Sequence, residues 1–260
     1  MDALVSMRLN KAKHQLKDGN VVIGTGQRIP APALTELLGY ADFDFVFLDA
    51  EHGAMGWTQI EAMVLAAYAA DVTPVVRVLH NDPALVMRAL DVGAQGILIP
   101  HCCNAAAAQR YVDGALYPPI GKRGVGPSRG IKWGAIPQDE YFSVINDEVL
   151  LMAMIEDAEA VEDIEEICKV PGLDVLIVGT SDLAASYGLP GQHDHPRIKE
   201  ATAHVLEVGN THGVAISKPA RSIDDATEAI EQGYRVVTLG TAEAFIFRHL
   251  SDCVAKIRSA

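Results

Sequence analysis

Two acidic residues, Glu156 and Asp182, closely follow strongly apolar runs of the sequence. A carboxylate that points inward from such a run is costly to desolvate unless a cation neutralises it. Carboxylate oxygens suit a hard divalent ion such as Mg²⁺ or Mn²⁺, which keeps coordination sites for water and a bidentate substrate. Salt bridges to Arg77 or Arg123, with no metal, are the alternative. The spacing alone favours neither interpretation.

A histidine and an arginine follow two other apolar runs. Histidine titrates near neutral pH, so His52, in DAEHG, is a candidate general base, and Asp49 is its simplest partner within the chain. Arg77, inside PVVRV, needs an anionic partner, which is either a carboxylate of the protein or an oxyanion of the substrate. His101 is followed directly by two cysteines. Three adjacent side chains are too close together to bind one tetrahedral metal ion, so we interpret His101 as pocket lining.

Two further features predict competing chemistry. Lys218 follows the apolar run VAIS, and a lysine there could form a Schiff base with a carbonyl substrate. Gly240 and Thr241 open the last helix and could hold a phosphate at its N-terminus. An ordinary strand-to-helix turn explains this second feature better.

The elements that must position these residues alternate regularly along the chain. Eight short runs rich in Val, Ile, Leu or Phe are separated by segments of helical character. Continuously apolar strands indicate a parallel sheet that helical crossovers cover on both faces. The pattern predicts one α/β domain over residues 1–260, a (β/α)₈ TIM barrel. The predicted strands begin at Val21, Phe45, Pro74, Gly96, Val149, Val175, Val214 and Val236.

Active sites of such barrels lie at the C-terminal ends of the strands, where the reactive side chains fall. A helix near Leu4 to Leu16 precedes the first strand and is predicted to plug the bottom of the barrel. The connection from Tyr117 to Glu148 is longer than the others and is predicted to be a lid or binding loop. The dinucleotide fingerprint G-x-G-x-x-G follows none of the predicted strands.

The composition narrows the class of partner. With 21 basic and 34 acidic residues the net charge is −13, which disfavours nucleic acid and anionic membrane surfaces as partners. The four cysteines form no C-x-x-C pair, and we expect free thiols in a reducing compartment. The sequence has neither a signal-peptide core nor an apolar run of about 18 residues, so we expect a cytoplasmic protein.

The motifs LDAEHG, VVRV followed by LHND, GKRGVG, MIED and VGTSDLAASYG, in that order, resemble the HpcH/HpaI aldolase family. The resemblance covers essentially the whole chain, and the ordered set is more specific than any single motif. It implies a metal-dependent class II aldolase on a (β/α)₈ barrel, with Mg²⁺, Mn²⁺ or Co²⁺ as cofactor. The implied reaction is reversible cleavage of a 4-hydroxy-2-oxo acid to pyruvate, or a pyruvate analogue, and an aldehyde. The implied assembly is a hexamer, a trimer of dimers whose C-terminal helices exchange.

Carried over by position, the resemblance assigns roles to individual residues. It implies that Glu156 and Asp182 bind the divalent ion, that His52 is the general base, and that Arg77 holds the developing enolate oxygen. It also implies that the RGVG loop from Arg123 borders the pocket. The implied substrate-binding residues are Arg77, Gly179, Ser181 and Asp182.

The family also has an acidic residue that raises the basicity of the histidine, and its motif position here is Asp91 in ALDVGAQG. Asp91 lies between the third helix and the fourth strand, at the bottom of its own barrel. We therefore expect it to serve a neighbouring subunit's site, with a solvated surface aspartate as the alternative. Asp91, from the resemblance, and Asp49, from proximity, both remain catalytic candidates.

The sequence departs from the family at three positions, which puts substrate preference in doubt but not the metal or the base. Met154 replaces a glutamine, Thr180 a proline and His80 an aromatic residue. Three other functions remain open: a Schiff-base aldolase that uses Lys218, an acyl-CoA lyase of the same superfamily, and a non-catalytic ketoacid-binding barrel. The surplus of acid argues against a groove for CoA phosphates.

Overall fold

The computed structural model describes residues 7–259, and its strands form a closed parallel barrel. Neighbouring strands pair in sequence order, and the last strand pairs with the first. Each strand begins at, or one residue from, its predicted start, so the predicted TIM barrel is confirmed. The strands are β1 Val22–Gln27, β2 Phe45–Asp49, β3 Thr73–Arg77, β4 Gly96–Ile99, β5 Leu150–Ile155, β6 Val175–Val178, β7 Ala215–Ala220 and β8 Val236–Thr241.

Helices surround this barrel and cover the outward side chains of its strands. None of the helices between residues 7 and 259 has the length and apolar character needed to cross a bilayer. The helices are α1 Lys11–Lys17, α2 Pro32–Tyr40, α3 Trp57–Ala69, α4 Pro83–Asp91, α5 Ala105–Ala115, α6 Gln138–Glu148, α7 Ala158–Glu162, α8 Ile164–Cys168, α9 Thr180–Ser186, α10 Pro196–His212, α11 Ile223–Glu231 and α12 Ala242–Ser259, with a 3₁₀ turn at Lys132–Gly134.

Alternate residues of each strand point into the barrel and form a core of their own. The β1 strand contributes glycines to this core because large rings from β2 fill the space beside it. A Cβ atom on Gly24 would lie 2.1 Å from the Phe45 ring, and one on Gly26 would lie 2.5 Å from the Phe47 ring. The same alternation decides which polar side chains at the strand ends face the barrel axis.

The α1 helix closes the bottom of the barrel, as predicted. Ala12 and Leu16 pack into the interior core. The buried Lys13 Nζ lies 2.9 Å from Asp174 Oδ2 and donates to the Val149 carbonyl, which ties the plug to the strand ends. The helix begins later than predicted, because residues 7–10 are not helical and the Asn10 side chain caps the N-terminus of α1. The part of the predicted helix before residue 7 lies outside the described residues.

The long connection between Tyr117 and Glu148 contains α6 and the 3₁₀ turn. It joins α5 to β5 and therefore lies at the N-terminal ends of the strands, away from the catalytic end of its own barrel. The predicted lid or binding loop therefore does not lie over the cavity of its own barrel. The reason is topological, because every helix-to-strand connection of a (β/α)₈ barrel opens at the bottom face.

Candidate active site

A cavity of about 350 Å³ opens at the C-terminal ends of the strands, where the sequence predicted the site. Its walls come from β1, β2, β3, β4, β5, β6, β7 and β8 or the turns that follow them. The lining residues are Arg28, Phe47, His52, Arg77, Leu98, Met154, Ile177, Gly179, Thr180, Ser181, Asp182, Pro219, Thr238, Gly240 and Thr241.

The carboxylate of Asp49 is fully buried and accepts five hydrogen bonds. Arg77 donates two of them, from Nε at 2.9 Å and from Nη2 at 2.6 Å, and Arg28 Nε donates a third at 3.0 Å. The backbone N–H groups of Glu51 and His52 donate the others. Burial alone would raise the pKa of Asp49, but the hydrogen bonds and charge of Arg77 lower it below its usual value. The anionic partner that Arg77 requires is thus a carboxylate of the protein.

His52 lines the cavity, but its imidazole does not contact Asp49. Asp49 Oδ1 accepts from the His52 backbone N–H at 3.1 Å, and the ring is about half exposed. The nearest carboxylate oxygen to the ring is Glu51 Oε2, 3.8 Å from Nε2. The prediction that Asp49 is the partner of the imidazole is therefore wrong. The turn after β2 places the His52 backbone amide, and not its ring, within hydrogen-bond distance of the carboxylate. Asp49 positions His52 through the backbone.

Two residues to which the sequence interpretation gave no role complete this side of the site: Glu51, which was recognised only as a polar residue at the end of β2, and Arg28. Glu51 Oε2 lies 3.1 Å from Arg77 Nη1, so the guanidinium is held between two carboxylates. Arg28 follows β1 and reaches Asp49 from the other side. The position of Glu51, two residues beyond an inward-facing Asp49, was a usable signal. Arg28 gave none, since it stands after a strand without a motif.

Glu156 follows β5 and Asp182 follows β6, neighbouring strands on the side of the barrel away from β1. Glu156 is 3% exposed, and its Oε1 accepts from the His101 backbone N–H at 2.7 Å. Burial raises the pKa of Glu156, and the negative charges of Asp182 and Glu51 raise it further, although the His101 amide and ring oppose them. A Cβ on Gly179 would lie 2.8 Å from Glu156 Oε2, so glycine is needed beside this carboxylate.

The alternative to a metal site, salt bridges from this acidic pair to Arg77 or Arg123, is not found among the described residues. Within residues 7–259, neither Glu156 nor Asp182 has an ion pair with an arginine or lysine. Arg77 pairs with Asp49 and Glu51, and Arg123 pairs elsewhere. No third His, Cys, Asp or Glu of the described chain converges with the pair as a ready-made ligand set. The buried Glu156 and the exposed Asp182 thus lack a direct arginine or lysine partner in this part of the chain, and Glu156 has the partial support of His101.

His101 stands at the rim with left-handed backbone, φ 50°. Its ring Nδ1 lies 3.1 Å from Asp157 Oδ2 and 3.6 Å from Glu156 Oε1. Burial alone would lower the pKa of His101, but the hydrogen bond to Asp157 and the charge of Glu156 raise it. The ring is not part of the cavity wall, so the prediction that His101 lines the pocket is wrong.

Lys218 points away from the cavity. Its neighbours in β7 face the barrel interior, since Ser217 contacts Thr238 and Pro219 lines the cavity. Lys218 therefore faces outward, where Nζ lies 2.7 Å from Asp225 Oδ1. The Schiff-base alternative is wrong for this site, because strand alternation places the amine on the other face of the barrel wall.

Asp91 ends α4 at the bottom of the barrel, as expected, far from the His52 of its own chain. Its Oδ1 accepts from Arg123 Nη2 at 2.7 Å, and Arg123 is buried. The RGVG loop therefore does not border the cavity of its own subunit, contrary to that expectation. Arg123 follows α5 and lies with Asp91 at the bottom end of the barrel.

Asp49→Asn tests the electrostatic role of this carboxylate. Asp49 has a folded pKa below its unfolded value of about 3.9, so it stabilises the fold above that pH and loses this contribution as pH falls through the folded pKa. At pH 7 the variant should lose about 3 to 5 kcal/mol of unfolding free energy, because a buried ion pair loses one partner. Urea unfolding at a series of pH values should show this difference shrinking below about pH 4.

Glu200→Gln, at an exposed position in the interior of α10, is the control and should change stability by less than about 0.5 kcal/mol at every pH. A difference between wild type and Asp49→Asn that stays constant from neutral to acidic pH would contradict the assigned role.

Known proteins share both the sequence and the fold. The family model described as HpcH/HpaI aldolase/citrate lyase matches residues 29–248. The 5-keto-4-deoxy-D-glucarate aldolase of Enterobacter sp. (strain 638) is 34% identical over 247 residues, which covers 95% of each chain. The crystal structure of an HpcH/HpaI aldolase from Desulfitobacterium hafniense DCB-2 superposes with a TM-score of 0.90 at 32% identity, covering 98% of both chains.

The crystal structure of citrate synthase SbnG superposes with a TM-score of 0.88 at 32% identity, covering 96% of this chain and 98% of that one. These similarities extend almost from end to end and include the strand ends that build the cavity. The protein is therefore a lyase that belongs to the HpcH/HpaI aldolase/citrate lyase family.

Proposed function

We propose that the protein catalyses reversible, metal-dependent cleavage of a 4-hydroxy-2-oxo acid to pyruvate, or a pyruvate analogue, and an aldehyde. The observation that carries this proposal is the pair of Glu156, which is buried, and Asp182, which is exposed and lines the open cavity. Within residues 7–259 neither carboxylate has an arginine or lysine partner. A divalent cation on these carboxylates would balance their charge, and oxygen donors suit Mg²⁺, Mn²⁺ or Co²⁺. The aldolase relatives support the reaction class.

When bound, the cation would act as a Lewis acid toward the keto oxygen of the 2-oxo acid. Arg77 would stabilise the negative charge that develops on this oxygen, because Asp49 and Glu51 fix its guanidinium before the substrate arrives. The chain around Gly179, Ser181 and Asp182 lines the cavity and would receive the substrate carboxylate.

His52 would accept the proton of the aldol hydroxyl as the carbon–carbon bond breaks, and would pass it to the methylene carbon of the enolate to give pyruvate. In condensation the same transfers run in reverse, from the pyruvate methyl group to the new hydroxyl. The half-exposed ring of His52 on the cavity wall allows these transfers directly or through a water molecule. An acyl-CoA substrate is a weaker candidate, because the described residues of the cavity wall include two arginines, Arg28 and Arg77, and no lysine, which is few for the phosphates of CoA.

Removal of the divalent ion tests the metal. After treatment with EDTA, the protein should stop exchanging the methyl protons of pyruvate with D₂O, and added Mg²⁺, Mn²⁺ or Co²⁺ should restore exchange. Glu156→Gln and Asp182→Asn should weaken Mn²⁺ binding by more than about 10-fold, since even second-shell changes cost that much. NMR follows the exchange, and calorimetry with Mn²⁺ alone follows binding.

Glu162→Gln, at an exposed position of α7, is the control and should bind Mn²⁺ like the wild type. Full exchange after exhaustive chelation, or unaltered Mn²⁺ binding in both site variants, would overturn the metal assignment.

The roles of Lys218 and His52 can be separated by substitution. Lys218→Met should retain pyruvate exchange and aldol cleavage, because its amine faces α11. His52→Ala should lower the rate of aldol cleavage by about 10²- to 10⁴-fold, the usual contribution of a general base. Borohydride with pyruvate should leave the wild-type mass unchanged; a borohydride-trapped adduct at Lys218 would restore the Schiff-base mechanism.

We further propose that the chain assembles with itself as a trimer of dimers and that Asp91 acts on a neighbouring subunit's site. Asp91 lies at the end of the barrel opposite its own cavity, paired with Arg123. The α12 helix exposes the apolar side chains of Phe247, Leu250 and Ile257, which a second copy would cover.

Complementation between two inactive variants tests this arrangement. Asp91→Asn and Glu156→Gln should each lose activity alone. When they are co-expressed with different tags and purified through both, the mixed oligomers should regain aldol cleavage, because some sites combine an intact Glu156 with a neighbour's intact Asp91. Mixed oligomers no more active than the two pure variants would show that Asp91 does not act between subunits.

A further inference from the structure

Arg28 lines the cavity, yet the proposed mechanism does not use it. Its side chain is 47% exposed, and Nε donates to Asp49 Oδ2 at 3.0 Å. Within residues 7–259 its two terminal nitrogens have no hydrogen-bond partner. One edge of the guanidinium is therefore held by the protein, and the remaining donors are available at the mouth of the cavity.

Asp49 does not need the charge of Arg28 for its own neutralisation. Arg77 already donates two hydrogen bonds to the same carboxylate, and two backbone amides add two more. Arg77 is itself shared between Asp49 and Glu51. Of the two guanidinium groups in the cavity wall, that of Arg28 is the one whose two terminal nitrogens both lack a protein partner within residues 7–259.

The position of Arg28 in the barrel separates it from the acidic pair. In a closed barrel with eight strands in sequence order, β5 lies across the axis from β1. Glu156 follows β5 and Asp182 follows β6, so a 2-oxo acid held by them would direct its reacting carbon toward the centre. The aldehyde half would then occupy the β1 and β8 side, where Thr238, Gly240 and Thr241 form a small, uncharged wall.

The backbone that carries Arg28 is anchored. The N–H groups of Arg28 and Ile29 donate to Glu243 Oε1 in the first turn of α12, the second at 2.7 Å. Burial alone would raise the pKa of Glu243, but hydrogen bonds from these amides and its own lower it. An ionised Glu243 therefore fixes the start of this loop, so that Arg28 is positioned before a ligand binds.

We propose that Arg28 is a specificity-determining residue that binds an oxyanion group, carboxylate or phosphate, on the aldehyde half of the substrate. The planar guanidinium offers two parallel N–H donors to such a group. This inference rests on the proposed aldol function. It specifies, in addition, that the aldehyde half of the substrate is negatively charged. The preferred aldehydes are then anionic, and the neutral ones react less efficiently.

The test compares kcat/KM for condensation of pyruvate with matched aldehydes. One arm uses ω-oxo carboxylates of increasing length against unbranched alkanals of the same length; the other uses glycolaldehyde phosphate against glycolaldehyde. Wild type should prefer an anionic aldehyde by about 10- to 100-fold, the value of a charge-assisted hydrogen bond. The arm with this preference identifies the oxyanion. Arg28→Gln should lose most of the preference, because kcat/KM should fall further for the anionic aldehyde of each pair than for the neutral one.

Arg28→Lys keeps the positive charge but lacks the two parallel N–H donors of the guanidinium. It should therefore retain a reduced preference for anionic aldehydes. Arg221→Gln removes an exposed arginine from the same end of the barrel, outside the cavity wall, and should behave like the wild type. Unfolding midpoints are measured for all variants, and Arg28→Lys carries the test should Arg28→Gln fail to fold.

Pyruvate methyl exchange in D₂O separates the two levels of the proposal, because it needs no aldehyde. If the wild type fails to exchange with every metal, the aldol function itself fails. If exchange proceeds but Arg28→Gln keeps the wild-type preference, the role of Arg28 is overturned. An equal loss for pyruvate exchange and for every aldehyde also overturns it, because Arg28 then only supports Asp49.

Discussion

The catalytic end of the barrel depends on the buried carboxylate of Asp49. It binds one arginine from β3 and one from the end of β1, and it accepts the two amides of the turn that carries His52. Three neighbouring strand ends are thereby tied to one negative charge. If Asp49 lost that charge, Arg77 would be a buried cation that keeps only Glu51, an arrangement that is expensive in a low-dielectric environment.

The carboxylates on the two sides of the cavity mouth, Asp49 and Glu156, have opposite environments. Asp49 has more donors than it needs, and its pKa is lowered. Glu156 is equally buried but has one amide and a partly exposed imidazole, and its pKa is raised by burial and by neighbouring acids. Carboxylates with environments that shift their pKa values in opposite directions are typical of sites with divided roles. Asp49 organises the protein, whereas the buried Glu156, next in strand order to the exposed Asp182, keeps oxygen atoms for the proposed cation.

The sequence predicted the barrel well because eight apolar runs separated by helical segments leave few alternative topologies. It could not predict which side of a strand a polar residue faces. Both faces of a parallel barrel strand are buried, so AISKPA gives no alternation of polarity to separate Ser217 from Lys218. Lys218 was therefore placed in the site by its distance along the chain, while the structure puts it outside.

A second error concerned the end of the barrel at which a loop lies. The order of helices and strands along the chain was sufficient to predict this correctly. The loop from Tyr117 is long and rich in glycine and arginine, which are features of binding loops, but it follows a helix and not a strand. Asp91 follows a helix as well and was placed correctly by that argument. The contacts of His52 could not be predicted from the sequence. Both its backbone amide and its imidazole can donate a hydrogen bond, and the sequence does not show which of them binds Asp49.

Met154 links the two sides of the cavity. It lines the floor next to Glu156, at the position where the family resemblance implies a glutamine, and its Cε would lie 2.9 Å from a Cβ on Gly179. A glutamine amide could donate to a carboxylate or to substrate; a thioether is a poor hydrogen-bonding group. The substitution leaves Glu156 more dependent on a cation, and it removes polar recognition from the floor. Polar selection of the substrate then falls to the walls, where Arg28 provides the donors without a protein partner.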